Sequence, residues 1–309
     1  MQTQLLAVVD QILMLFMLIA AGLFLRKRAI LGDSMLKGIN ALIMTLTWPM
    51  LMIATTQKPY TPESLAIFVQ ILLASTLFLA AALTVLFLFL RKKKIDFTPT
   101  LSMLCVMPNS GFFGIPIVQA LYGSEGLLYL SAYIIGFNLV LWTIPMVIYA
   151  KLDSNPHTSI LKNLLNPGIL CAILGISLFL LKIALPAPIL GTVNALANTN
   201  TPLSMLILGA RMDNLKLAHF ANRKLWLCTA LKLLALPLLA LCVLRPLGIV
   251  GMSLTILVAA TAMPTAASVQ MMAERYGGDV SLSAKTISVT TLCSALSLPL
   301  ILFVTSLFA

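Results

Sequence analysis

MPNSGFFGIP, residues 107–116, puts two prolines, two glycines, an asparagine and a serine into a stretch otherwise apolar enough to cross a membrane. Proline removes a backbone donor and glycine gives up helix propensity, so a helix is expected to break here. The chain around it is built for a bilayer. Of 309 residues, 60% are hydrophobic and 9% charged, with a mean hydropathy of +1.04. Soluble domains carry about 25% charged residues. The reading is an all-α polytopic membrane protein.

Ten apolar segments of spanning length can be counted, near 5–25, 35–55, 64–90, 99–122, 127–150, 167–186, 189–210, 224–244, 249–275 and 282–307. No basic residue precedes the first, whereas Arg26, Lys27 and Arg28 follow it. That order is the reverse of a cleavable signal peptide and predicts a retained helix with its N-terminus outside. Threading the loops from there puts sixteen of the twenty Lys and Arg on the cytoplasmic side, Arg91, Lys92, Lys93 and Lys94 among them. Lys58, Lys182 and Arg245 fall outside, and Lys232 lies within a span. The formal charge of +11 is thus a topology signal under the positive-inside rule and not a nucleic-acid footprint. Both termini are expected outside a bacterial inner (plasma) membrane. The longest loop, KLDSNPHTSILKNLLN at 151–166, forms a polar cytoplasmic linker.

The five cysteines all sit in apolar segments without a CxxC, and His157 and His219 fall in loops. Zinc-protease, phosphate-loop and Gly-x-Ser-x-Gly signatures are missing. The expectation is no enzyme, no metal site and no resident cofactor.

Internal repetition organises the chain. INAL at 39–42 recurs as VNAL at 193–196, Pro49 matches Pro202, Met107-Pro108 matches Met263-Pro264, and Tyr122-Gly123 matches Tyr276-Gly277. The common spacing divides the protein into a first five-helix repeat, 1–150, and a second, 167–309. An odd number of crossings inverts the second copy, the plan of inverted-repeat transporters whose sites lie at the midplane between broken helices. Helices 4 and 9 carry the breaks, at Pro108 and Pro264, each roughly 15 Å deep at about 1.5 Å per residue. Proline kinks healed by a neighbouring helix are the alternative.

At these breaks Asn109, Ser110 and Thr265 are capping residue types, and the half-helix N-termini they open suit an anion. Gly111 and Gly114 allow close approach of a helix or substrate. The first repeat is the more polar, with Asn109, Ser110 and Gly111 against Thr265, Ala266 and Ala267. Asn138 in the fifth span is placed to reach the break. Lys232, nine residues into the eighth span, is a countercharge to an anion, a surrogate for a bound cation, or a lysine paired with carbonyls freed by Pro237. Asn40, Asn194, Asn198, Asn200 and Thr201 line the substrate path or bond between helices. No span centre holds paired carboxylates, which speaks against a cation/proton antiporter.

PNSGFFGIPIVQALYG at 108–123, FNLVLWT at 137–143, LKLLALP at 231–237 and AMPTAASVQMMAERYGGD at 262–279 resemble the auxin efflux carrier family. That family includes malate and malonate permease-like bacterial members and is related to the plant PIN exporters. The resemblance implies a fold like the bile-acid/sodium symporters. Helices 1, 2, 6 and 7 would form a scaffold and helices 3–5 and 8–10 a transport domain. It implies a homodimer joined through the scaffold, elevator-type alternating access, and small organic anions such as auxin-like carboxylates, malate or malonate as substrates. Pro108, Asn109 and Pro264 map onto the family's crossover residues, and Thr265 stands where a second polar one belongs. Coupling to H+ or Na+ stays open, with a sodium-coupled symporter and a non-transporting membrane sensor as alternatives.

Overall fold

The computed structural model describes residues 2–57, 61–95, 97–150, 167–214 and 222–308. The 151–166 linker with its His157, together with Lys58 and His219, lies outside them. The regular structure among the described residues is helical, apart from one isolated bridge between Pro108 and Thr265. In chain order the helices are α1 (Gln2–Lys27), α2 (Asp33–Thr56), α3 (Pro62–Lys92) and α4 (Thr98–Val106). A single helical run, Gly114–Ala150, follows and is interrupted at Gly123 (φ 60°, ψ −144°) into α5 (114–122) and α6 (124–150). The remainder is α7 (Pro167–Leu180), α8 (Ala187–Asn198), α9 (Asn200–Arg211), α10 (Arg223–Leu244), α11 (Gly251–Ala262), α12 (Ala267–Tyr276) and α13 (Val280–Ser306).

Six helical runs among the described residues are long and apolar enough to cross a membrane unaided, against ten apolar segments in the sequence. The difference has local causes. The fourth, seventh and ninth segments are each divided, into α4 and α5, α8 and α9, and α11 and α12. The fourth and fifth also run together as one helical stretch, and the sixth is the 14-residue α7.

Proline sets the interruptions. Met107 and Met263, each preceding a proline, hold extended backbone (ψ 112° and 151°) and end α4 and α11. Pro49 and Pro237 act more mildly. A π turn, Ile43–Thr47 in α2 and Leu231–Ala235 in α10, precedes each by two residues. The wider turn absorbs the missing donor and the ring's clash with the preceding turn, so the helix continues. At Pro202 the chain instead breaks at Thr199 and restarts as α9. Thr47 and Asn200, beside Pro49 and Pro202, meet in a buried hydrogen bond of 3.0 Å from the Thr47 hydroxyl to the Asn200 amide oxygen.

Small residues let the helices close on one another, the usual device where lipid supplies no hydrophobic drive. α1 packs along α9, and α7 along the second half of α2. A Cβ on Gly209 would stand 1.9 Å from the Ile19 carbonyl oxygen, and one on Gly22 2.2 Å from that of Leu206. Both obstacles are backbone, which cannot rotate away. Gly209→Ala is therefore expected to destabilise the protein by about 3 kcal/mol, read as a thermal midpoint several degrees lower in detergent. Gly191→Ala, where a Cβ meets nothing within 4 Å, should leave the midpoint unchanged.

Candidate functional site

The two proline breaks meet. The Asn109 N–H donates to the Pro264 carbonyl at 2.7 Å and the Ala266 N–H donates to the Met107 carbonyl at 3.0 Å, a short antiparallel rung centred on Pro108 and Thr265. Backbone freed by each proline is thus satisfied by the other break, as unpaired polar groups at bilayer depth require. Thr265 tightens the junction, its hydroxyl donating to the Leu104 carbonyl at 2.8 Å and its N–H to the Thr290 hydroxyl at 3.2 Å. It crosslinks the two breaks and does not cap the helix that follows. Asn109 does cap, through its carbonyl to the Phe113 N–H (3.1 Å) and its side-chain oxygen to the Phe112 N–H (3.4 Å).

Ser110 is fully buried and its hydroxyl has no hydrogen-bond partner. Gly111 faces the Trp48 ring of α2, where a Cβ would lie 1.9 Å from Cη2. Trp48 also meets Phe112 edge-on, with centroids 5.2 Å apart at 79°. At Gly114 an added Cβ would make only ordinary contacts, 3.7 Å at the closest, so Gly111 alone of the pair is needed for close approach.

Lys232 is fully buried within the π turn of α10 and donates to the Thr261 carbonyl at 2.7 Å. That carbonyl belongs to the last turn of α11, the negative end of the half-helix that stops at the Pro264 break. Lys232 thus bonds across to α11 and not to carbonyls of its own helix. The Thr261 hydroxyl meets the Tyr133 hydroxyl of α6 at 3.1 Å. Among the described residues no carboxylate lies within ion-pair distance of Lys232. Asn138, by contrast, turns its amide onto the Ile134 carbonyl of its own helix at 2.9 Å and lines none of the cavities described below.

Two cavities flank the junction. The smaller, about 40 Å³, is lined by Asn109 and Phe112 on one side, Asn40, Ser204 and Arg211 on another, and Gln270 and Ser288 on a third. Among the described residues that line it are a guanidinium, three carboxamides and two hydroxyls but no carboxylate. The Ser204 hydroxyl is buried without a partner, and Gln270 donates to Glu274 at 2.9 Å. The larger, about 500 Å³, lies beyond Ile115 and Pro116 and is lined by Gln11, Thr55, Gln119, Asn194, Asn198 and Thr201. Asn40 and Asn194, matched in the sequence repeat, line one cavity each. Trp48 lies between Ile43 and Leu51 along α2, residues that face the smaller and the larger cavity respectively.

Of the sequence candidates, Pro108, Asn109, Ser110, Gly111, Pro264 and Thr265 gather at the junction, Lys232 stands behind it, and Asn138 points elsewhere. Nothing in the sequence marks Arg211, Gln270, Gln11, Gln119 or Trp48 as a site residue. Arg211 reads in sequence as one more cytoplasmic basic residue, and nothing in an apolar-rich helix marks which side a lone glutamine faces.

The chain matches the family described as "Membrane transport protein" over residues 7–157 and 156–302. It is 26% identical over 297 residues to an uncharacterized transporter of Methanothermobacter thermautotrophicus, covering 94% of this chain and 96% of the relative. An uncharacterized transporter of Methanocaldococcus jannaschii is 24% identical over 302 residues, with the same coverage of both chains.

Proposed function

Since the chain belongs to the membrane transport protein family, the auxin efflux carriers, we propose that it moves small organic anions across the membrane by alternating access. The observation that carries the anion reading is the smaller cavity. The Asn109 amide and the Arg211 guanidinium line one space with no carboxylate among its described lining residues, a donor set that matches a carboxylate ligand. Auxin-like acids and short dicarboxylates such as malate or malonate are the substrate class.

Alternating access is supported by the pair of cavities on opposite sides of the junction, each with one of two repeat-matched asparagines. The smaller one holds about three waters at most, too few to make room for a dicarboxylate, so it must widen to admit substrate. The larger is already roomy. In the ten-helix inverted-repeat plan, with both termini outside, this is the form open to the exterior. The scaffold of the first, second, sixth and seventh helices would carry Arg211, Trp48 and Asn40. The moving part would carry Asn109, Thr265 and Lys232.

The carbonyls freed by the breaks favour a carrier without sodium. Those of Leu104, Met107, Thr261 and Pro264 already accept protein donors. The Lys232 side chain donates at the negative end of α11, where a symporter would bring a cation.

Counterflow of labelled malate, malonate and indole-3-acetate in proteoliposomes, with and without a sodium gradient, tests the reading. Uptake of at least one substrate, indifferent to sodium, is the expected result. Arg211→Gln should weaken it roughly tenfold or more, the worth of a charge-assisted hydrogen bond of about 1.5–3 kcal/mol. Uptake that requires sodium would move the assignment to a coupled symporter. Absence of uptake and of binding for all three would sink the carboxylate class.

A further inference from the structure

A third polar cavity, of about 470 Å³, lies away from the junction, where the end of α3, the start of α4, the end of α6 and the end of α12 converge. Arg91 and Lys94, both exposed, stand on its wall. Lys94 follows the last turn of α3 with φ 53°, so the chain bends there and keeps both cations at one rim. Thr100 and Tyr149 form part of its floor through a buried hydroxyl pair at 2.8 Å. Tyr149 stacks on Tyr276, with centroids 5.3 Å apart at 20°.

The enclosure depends on a tight turn after α12. Gly277 takes φ 71° as the helix ends, and the Gly278 N–H returns to the Ala273 carbonyl at 2.8 Å. A Cβ on Gly278 would stand 2.3 Å from the Thr100 hydroxyl, so the turn lies directly over the start of α4. Of the described residues that line this cavity none is acidic. No described carboxylate pairs with Arg91 or Lys94, and Asp279, just past the turn, is occupied in capping α13 through Leu282. Asp96 lies outside the described residues.

We propose that this cavity is a binding site for the phosphate of an anionic phospholipid headgroup. Two cations on one rim recognise a phosphate, and the paired tyrosines give the amphipathic wall found at the membrane–water boundary. The position at the end of a spanning helix, beside a run of four basic residues, is where the anionic leaflet meets the protein. A free phosphate compound offers the same chemistry. The lipid is favoured because the cavity opens at the helix ends, beside exposed Phe97. The placement on the cytoplasmic face rests on the topology proposed above. The binding itself does not require that the protein transport anything.

The test is native mass spectrometry of the purified protein released from nanodiscs of phosphatidylcholine with a minor share of phosphatidylglycerol. Wild type should retain phosphatidylglycerol in preference to phosphatidylcholine, and Arg91→Gln/Lys94→Gln should retain roughly tenfold less. Lys92→Gln/Lys93→Gln, which removes the same charge beside the cavity, should retain it as wild type does. Equal loss in both double variants would mean diffuse attraction and overturn the site, as would no loss in either. Displacement of the lipid by millimolar inorganic phosphate would assign the cavity to a soluble phosphate and overturn the lipid. Counterflow on the same samples is a separate readout, so a protein that binds lipid but transports nothing refutes only the function proposed above.

Discussion

Asn109→Ala is expected to abolish substrate counterflow, by about a hundredfold or more, while the protein still folds and inserts. The backbone of Asn109 holds the rung to Pro264 and the turn to Phe113, and alanine keeps both. What alanine removes is the side-chain cap on Phe112, worth about 0.5–2 kcal/mol, and an amide in the smaller cavity. A hydrogen bond to a charged ligand is worth about 1.5–3 kcal/mol. The cap affects stability alone; at its upper end the ligand bond by itself reaches about a hundredfold in affinity. Asn109→Asp keeps the shape and cap but brings a negative charge to the ligand, and should fail equally. Membrane yield and the thermal midpoint must be measured alongside counterflow. Normal transport by Asn109→Ala would remove the junction from the substrate path.

Gly111→Ala is expected to arrest transport by a steric route. Its Cβ would fall 1.9 Å from Trp48 Cη2 and 2.4 Å from Cζ3, well inside contact distance. The indole is a stiff plate already set against Phe112, so the junction and α2 must separate to make room. Overpacking of this kind costs about 1–3 kcal/mol, and counterflow should drop roughly tenfold or more. Trp48→Ala empties the same space. In the Gly111→Ala background it should recover most of the lost activity, a coupling that a double-mutant cycle measures directly. If Gly111→Ala transports at the wild-type rate, or if Trp48→Ala rescues nothing, the contact does not control movement between the two cavities.

These two neighbours differ in how far the sequence discloses them. Asn109 is legible because it follows a proline in a spanning segment, and the consequence of that proline is local. Gly111 is legible as a small residue, but its reason is Trp48, sixty-three positions away. Arg211 shows the same limit from the other side. Its place in a basic loop end accounts for it fully until the fold brings it to the cavity that Asn109 also lines. Asn138 is the converse, a polar residue close in sequence to the break whose amide satisfies itself on its own helix.

The membrane class, the helical state and the helix stops before Pro108 and Pro264 are written in the sequence. A bilayer forces each spanning segment to satisfy its backbone internally, and proline overrides this within a turn, so both effects are written in nearby residues. Tertiary packing is what makes the breaks at Pro108 and Pro264 bond to each other, brings Lys232 to the end of α11, and sorts the polar side chains beside the junction into two cavities. The spans are apolar nearly all round, so no single stripe fixes which way a helix turns. Its facing is set by close contacts such as Gly209 on Ile19 and Gly111 on Trp48, which exist only once distant segments have packed.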